Sequence, residues 1–199
     1  MTRRALIFDL GGVVLDSPLE VIAAYEKENR IAIGTINRHV ASRGDEGAWG
    51  RHERGKIDFA GFCELFEAEL AAEGIVVEAA VLLAQIGAFA KARPAVLDQI
   101  RRLRTAGYKV AALTNSWQSL PDSHLQTHFD LIVESWREGV RKPDREIFVR
   151  TLARIDVEAP EALMIDDLGP NLKVARDLGM ETFKAVEEAS LISFLKTLG

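Results

Sequence analysis

Residues 5–12 read ALIFDLGG. Four apolar residues run straight into one acid, Asp9, which is followed by a leucine and the glycine pair Gly11–Gly12. A short apolar run closed by glycines suits a strand buried on both faces, the pattern of a parallel sheet. From Pro94 onward the same texture recurs between helical segments. Helix PAVLDQIRRLRTAG is followed by strands YKVAALTN and FDLIVES, helix PDREIFVRTLARI, strand ALMIDD, helix LGPNLKVARDLG and strand ETFKAV. Strands alternating with helices imply βαβ units and therefore an α/β fold, a parallel sheet covered by helices on both faces.

Between the first strand and Arg93 the signals are helical only. Ser17-Pro18-Leu19-Glu20 reads as a capping box with proline at the first helical position, opening a helix that ends near Asn29. Thr35 to Ser42 suits a second short helix. Asp58 is an N-cap for a run in which Phe59, Phe62, Leu65, Phe66 and Leu70 recur at helical spacing and Gly74 closes the segment. Glu78 to Ala92 continues in the same style. The expected organisation is a core of residues 1–15 and 93–199, with residues 16–92 inserted as an all-helical cap. The insertion starts after the first strand, beside the sheet edge where open α/β sheets bind ligands.

The composition narrows the function. The chain has 199 residues, 48% hydrophobic and 28% charged, with a net charge of -5. This balance gives no electrostatic reason to expect nucleic acid or an anionic membrane as the partner. The single cysteine, Cys63, excludes an internal disulfide and a cysteine-built metal site. Its neighbours Phe62, Leu65 and Phe66 make it a core thiol. Arg3 and Arg4 precede an apolar run that Asp9 breaks within a few residues, which reads as a strand and not a signal peptide. No stretch approaches the length of a membrane span. A cytoplasmic protein is the expectation.

Four strand ends carry polar residues: Asp9, Thr114 with Asn115, Lys142, and the pair Asp166–Asp167. Taken singly, each has a plain structural reading as a helix cap, a turn or a solvated lysine. In a parallel sheet, however, all of these ends meet on one edge. A nucleophilic carboxylate, a hydroxyl and amide, a cation and a pair of acids together fit phosphoryl transfer through an aspartyl-phosphate. Mg²⁺ would neutralise the approaching charges if held by hard oxygens: Asp9, a nearby backbone carbonyl and Asp167. Lys142, Thr114 and Asn115 would receive the phosphoryl oxygens, and Gly11 and Gly12 would let the backbone come close. Adjacent acids such as Asp166 and Asp167 repel without a cation between them.

The segments FDLGGVV, ALTNSW, RKPDREIF and MIDDLGPNLKVARDLGM resemble the four ordered motifs of the haloacid dehalogenase-like hydrolase superfamily. Within it they resemble the N-terminal phosphatase domain of soluble epoxide hydrolase and the similar domain fused to an acyl-CoA dehydrogenase. The resemblance implies a Rossmann-like core, a helical cap and Mg²⁺-dependent attack by an aspartate on a small organic phosphate. Carried over by position, it implies Asp9 as nucleophile and metal ligand. Gly11 would contribute its carbonyl, Asp167 would bind the metal, and Asp166 would support or join it. Thr114, Asn115, Lys142 and Gly12 would meet the phosphate, and Asn171 holds the last polar position of the motif.

The chain departs from the family at Gly11, where its phosphatases usually carry a second aspartate that protonates the leaving alcohol and activates water. Asp16 is a candidate substitute. A catalytically weak module that binds phosphate and Mg²⁺ is the alternative from another class. A dehalogenase is a lesser one, because the Asp166–Asp167 pair favours a metal. The cap segment 38–56 holds Arg38, His39, Arg43, Trp49, Arg51, His52 and Arg54, a basic lid suited to an extended anionic substrate. Trp117 is expected near the site entrance. The resemblances imply lipid, isoprenoid or sugar phosphates.

Overall fold

The computed structural model describes residues 3–119 and 123–198. Residues 1, 2, 120–122 and 199, which belong to the expected core span, lie outside it. The elements in chain order are β1 (Ala5–Phe8), α1 (Pro18–Glu28), α2 (Thr35–Arg43), α3 (Ala48–Glu53), α4 (Phe59–Ala71), α5 (Ala79–Phe89) and α6 (Pro94–Thr105). They continue with β2 (Lys109–Thr114), α7 (Ser123–Thr127), β3 (Leu131–Glu134), α8 (Ser135–Glu138), α9 (Arg145–Arg154), β4 (Ala162–Asp166), α10 (Gly169–Asp177), β5 (Glu181–Lys184) and α11 (Glu188–Lys196).

Among the described residues the strands form one parallel sheet in the order β3-β2-β1-β4-β5, with β1 at its centre. Strand periodicity divides the central side chains between two cores. Leu6 and Phe8, Val110 and Ala112, and Leu163 and Ile165 enter the cluster with α6 and α11. Ala5 and Ile7, Ala111 and Leu113, and Ala162 and Met164 enter the cluster with α9 and α10. This two-sided burial is the physical reason for the unbroken apolar run in ALIF, and it makes the fold a Rossmann-like α/β sheet.

A third cluster runs from Val21 to Ile86 and takes in α1 to α5, with Trp117 packed against it. The chain leaves the core and returns to it side by side: the Asp16 amide donates to Lys91 O at 3.0 Å and the Arg93 amide to Val14 O at 2.9 Å. Ser17 caps α1 through a single bond from the Leu19 amide at 3.3 Å. The reciprocal bond from the Glu20 side chain to the cap backbone is absent, so the expected capping box is half made. Asp58 caps α4 by accepting from the Gly61 amide at 2.8 Å.

Helix α3 has no sequence signal, for its six residues carry an internal glycine and no side-chain cap. Tertiary contact supplies what propensity lacks: the Trp49 ring centroid lies 5.8 Å from that of Phe62 and 5.6 Å from that of Phe66. Cys63 is half-buried at the margin of this cluster and not at its centre. Burial, with help from Glu67, pushes its thiol pKa up, so it is a poor nucleophile. Among the described residues no helix is long and apolar enough to cross a membrane.

Candidate active site

Asp9 stands one residue past β1, and its amide donates to Ile165 O at 2.8 Å, extending the ladder to β4 by one step. The side chain therefore leaves the sheet at the C-terminal edge. Its Oδ1 accepts from the Leu10 amide at 2.7 Å and from Lys142 Nζ at 2.8 Å. Both bonds fall on one oxygen, and the residue lines the cavity described below.

Lys142 is 2% exposed, and its Nζ also lies 2.8 Å from Asp166 Oδ2. An ammonium this far from water is tolerable only between anions. Burial opposes its charge, but Asp9 and Asp166 overrule that and hold its pKa above the ordinary lysine value. Asn115 fixes the loop that delivers it, donating to Lys142 O at 2.9 Å and accepting from the Lys142 amide at 2.8 Å. The Asn115 side chain thus grips the Lys142 backbone at both ends. Thr114 keeps its hydroxyl at the cavity, with only a 3.4 Å contact to Asn115 O.

Asp166 is fully buried and fully used. Its Oδ1 accepts from the Leu168 amide at 2.8 Å and from Asn171 Nδ2 at 3.0 Å, and its Oδ2 takes Lys142 and a second 3.0 Å contact from Asn171. Asp167 is the opposite case, since its Oδ1 is buried with no partner. Gly12 is required beside it: a Cβ there would meet Asp167 Oδ2 at 2.5 Å, and its φ is +80°. One oxygen each from Asp9, Asp166 and Asp167 falls within 4.8 Å of the others. Burial pushes the Asp9 carboxyl up to about 7, with Lys142 opposing and the two neighbouring aspartates adding. Burial and Asp166 raise Asp167 as well. Three converging carboxylates against one lysine, with an orphaned buried oxygen among them, are a donor set that fits a hard divalent cation.

Above this cluster lies a cavity of about 320 Å³. Its core side is polar, with Asp9, Thr114, Lys142 and Asp167. Its cap side is mainly apolar, formed by Leu19, Ile22, Val40, Trp49 and Ile86, with Trp117 of the core packed on Trp49. Trp117 is where the sequence places it. The basic lid is not. Among the basic and histidine residues of segment 38–56, none lines this cavity. Arg43 pairs with Glu73, and Arg51 and Arg54 with Glu46. His39 bonds Glu69 and Glu73. His52 is stacked against Phe62 with ring centroids 4.7 Å apart. Arg38 donates to the Thr35 hydroxyl at 2.9 Å, so the lid's arginines are held within the cap, and only Trp49 of that segment's expected contacts reaches the site. Asp16 lines the cavity and forms a 3.8 Å ion pair with Arg93.

The sequence reading passed over Glu53 and Arg141. The cap's α3 rests on the core here, since Ser135 Oγ donates to Glu53 O at 2.6 Å. Glu53 Oε1 accepts from Trp49 Nε1 at 2.9 Å, and Oε2 accepts from Arg141 Nη1 at 2.6 Å. Both residues line the cavity. The available signal was the adjacency of Arg141 to Lys142, and the spacing that puts Glu53 one turn after Trp49.

The chain is 36% identical over 98% of its length to acyl-CoA dehydrogenase family member 10 of Mus musculus. It is 31% identical over 92% of its length to bifunctional epoxide hydrolase 2 of Sus scrofa. It spans only 19% and 36% of those two proteins. A sesquiterpene phosphatase of Aspergillus oryzae is 29% identical, with 90% of this chain and 88% of that protein covered. Among solved structures, a haloacid dehalogenase family enzyme from Bacteroides thetaiotaomicron, in complex with magnesium and inorganic phosphate, superposes with a TM-score of 0.65. The two are 24% identical, and the match covers 96% of this chain and 98% of that one. The model of the haloacid dehalogenase-like hydrolases matches residues 3–179, and the chain belongs to that family.

Proposed function

We propose that this chain is a phosphomonoesterase acting through an aspartyl-phosphate on Asp9, and that its substrate joins a phosphate to an apolar alcohol. The observation that carries this reading is the setting of Asp9: Lys142 holds its Oδ1 at 2.8 Å at the polar end of a cavity whose other end is apolar. The phosphatase name of the Aspergillus relative and the phosphate complex of the Bacteroides enzyme support the reaction class.

Asp9 Oδ2 forms the bond to phosphorus while the bond to the alcohol oxygen breaks, and water later releases phosphate from the acyl-phosphate. Lys142 offsets charge on the phosphoryl oxygens, and the Thr114 hydroxyl donates to them. Asn115 keeps Lys142 in register, and Gly12 leaves room for the backbone to approach. Asp9, Asp167 and the Gly11 carbonyl would hold Mg²⁺, with Asp166 behind them. Bound there, the ion neutralises the charge that nucleophile and phosphate bring together. Residues 1–15 and 93–199 supply the nucleophile and the phosphate- and metal-binding groups, and residues 16–92 cover them and shape the apolar pocket. That pocket favours a lipid or isoprenoid phosphate over a sugar phosphate, whose hydroxyls would find few partners on its walls.

The test is phosphate release from a series of n-alkyl phosphates of rising chain length, with Mg²⁺ present or chelated, for the wild type and for Asp9→Asn. Release that needs both Mg²⁺ and Asp9, and a kcat/KM that climbs with chain length, is the expected result. Release untouched by Asp9→Asn overturns the nucleophile. Mg²⁺ binding without release of any kind assigns the chain to the binding-module class instead.

A further inference from the structure

Hydrolysis through Asp9 needs a proton for the departing alkoxide and a base for the incoming water. Position 11, one residue beyond Leu10 in the same turn, is a glycine and can supply neither. Lys142 is held between two aspartates, and Asp166 has its lone pairs taken. Asp9 and Asp167 face the phosphate and the cation. Two acids of the cavity remain, Asp16 and Glu53. Asp16 lies where the chain crosses into the cap and faces Arg93.

We infer that Glu53 is the general acid and base of this site. It rests on the phosphomonoesterase reading above. Glu53 lies on α3 one turn after Trp49, so both side chains point from the cap into the cavity. Its partner Arg141 is covalently next to Lys142, which ties the carboxyl group to the loop that carries the cation at Asp9. The Trp49 and Arg141 bonds use one lone pair on each oxygen, so a proton has a site of its own without displacing either donor. Burial raises the Glu53 pKa above the ordinary glutamate value, with Arg141, the Trp49 bond and Lys142 opposing. That moves the group toward the range in which it can both give and take a proton near neutrality.

In the first step the bond from Asp9 to phosphorus forms, the bond from phosphorus to the ester oxygen breaks, and the Glu53 proton goes to that oxygen to make the alcohol. In the second, Glu53 takes a proton from water as the water oxygen bonds to phosphorus. The bond from phosphorus to Asp9 breaks, and the acid form of Glu53 returns with inorganic phosphate.

The experiment compares 4-nitrophenyl phosphate, whose leaving phenolate needs no proton, with n-octyl phosphate, whose alkoxide does. For Glu53→Gln, kcat/KM on octyl phosphate falls by about 10²–10⁴-fold, while that on the nitrophenyl ester falls far less. Loss of the base also lets the acyl-phosphate accumulate, seen as a burst of nitrophenol close to one per enzyme before a slow steady state. Arg141→Met removes the contact that holds the carboxyl group but keeps the acid, so it lowers kcat/KM on octyl phosphate more than on the nitrophenyl ester, and by less than Glu53→Gln does. Equal losses on both substrates in Glu53→Gln, or no loss, overturn the assignment. So does the leaving-group dependence appearing in Asp16→Asn instead. Wild-type inactivity on both esters in Mg²⁺ overturns the phosphomonoesterase reading itself, a result distinct from failure of Glu53 alone.

Discussion

Cδ of Pro18 lies 3.2 Å from the point where a Cβ on Gly11 would stand. The Gly11 backbone is not in the left-handed region, so its conformation would accept a side chain. The obstacle is a stiff ring at the first position of α1, which would have to yield by a few tenths of an ångström to admit even a Cβ. Gly11→Asp alone should therefore leave octyl phosphate turnover no higher than in the wild type. Gly11→Asp combined with Pro18→Ala, placed in the Glu53→Gln background, should restore part of the loss of about 10²–10⁴-fold. Steady-state kinetics of the single and combined variants checks both statements.

The Lys142 ammonium compensates two buried carboxylates at once. Lys142→Met leaves Asp9 and Asp166 facing each other without it. Removing one member of a buried ionic cluster costs about 3–5 kcal/mol, because uncompensated charge stays behind. Urea denaturation should show a loss of that size, together with loss of phosphate release. A change below about 1 kcal/mol would mean that the two aspartates find another counter-charge.

Gly12 and Gly87 make opposite predictions for the same substitution. Gly12→Ala puts a Cβ 2.5 Å from Asp167 Oδ2 at a φ of +80°. The left-handed backbone alone costs about 1–2 kcal/mol. Displacement of Asp167 should weaken Mg²⁺ binding in calorimetric titration. Gly87 sits inside α5, where a Cβ meets nothing within 4 Å, so Gly87→Ala should stabilise by about 1 kcal/mol.

His52 should make the cap acid-sensitive. Its Nδ1 donates to Ile57 O at 3.1 Å, and its Nε2 is buried without a partner. Burial lowers its pKa from the ordinary 6.5, so the folded state resists the proton while the unfolded chain accepts it. The stability that neutral His52 contributes is complete above pH 6.5 and is lost as pH falls below it. The midpoint of thermal unfolding should drop between about pH 7.5 and 5.5, and drop less in His52→Phe. Parallel curves for the two proteins would show that His52 does not bear on acid stability.

The sequence by itself determined the sheet and the polar edge. ALIF, KVAAL and ALMI are buried on both faces, and that requirement allows few residue types, so it is legible one strand at a time. A parallel sheet then forces Asp9, Thr114 and Asp166 onto one edge without any knowledge of the packing, whereas Lys142, expected at the end of FDLIVES, lies beyond α8 and reaches that edge on a loop held by Asn115. What the cap does could not be read this way. Helix α3 is six residues long and weak in propensity, and it exists because Trp49 packs edge-on to Phe62 and tilted against Phe66, which belong to another helix. The lid's arginines look like substrate ligands in a linear reading, and only folding shows Glu46 and Glu73 beside them. Glu53 and Arg141 are 88 residues apart and meet only when the cap closes on the core. Local periodicity records which faces are buried. Which charges meet across the site depends on the docking of two hydrophobic cores, and that is a property of the tertiary structure alone.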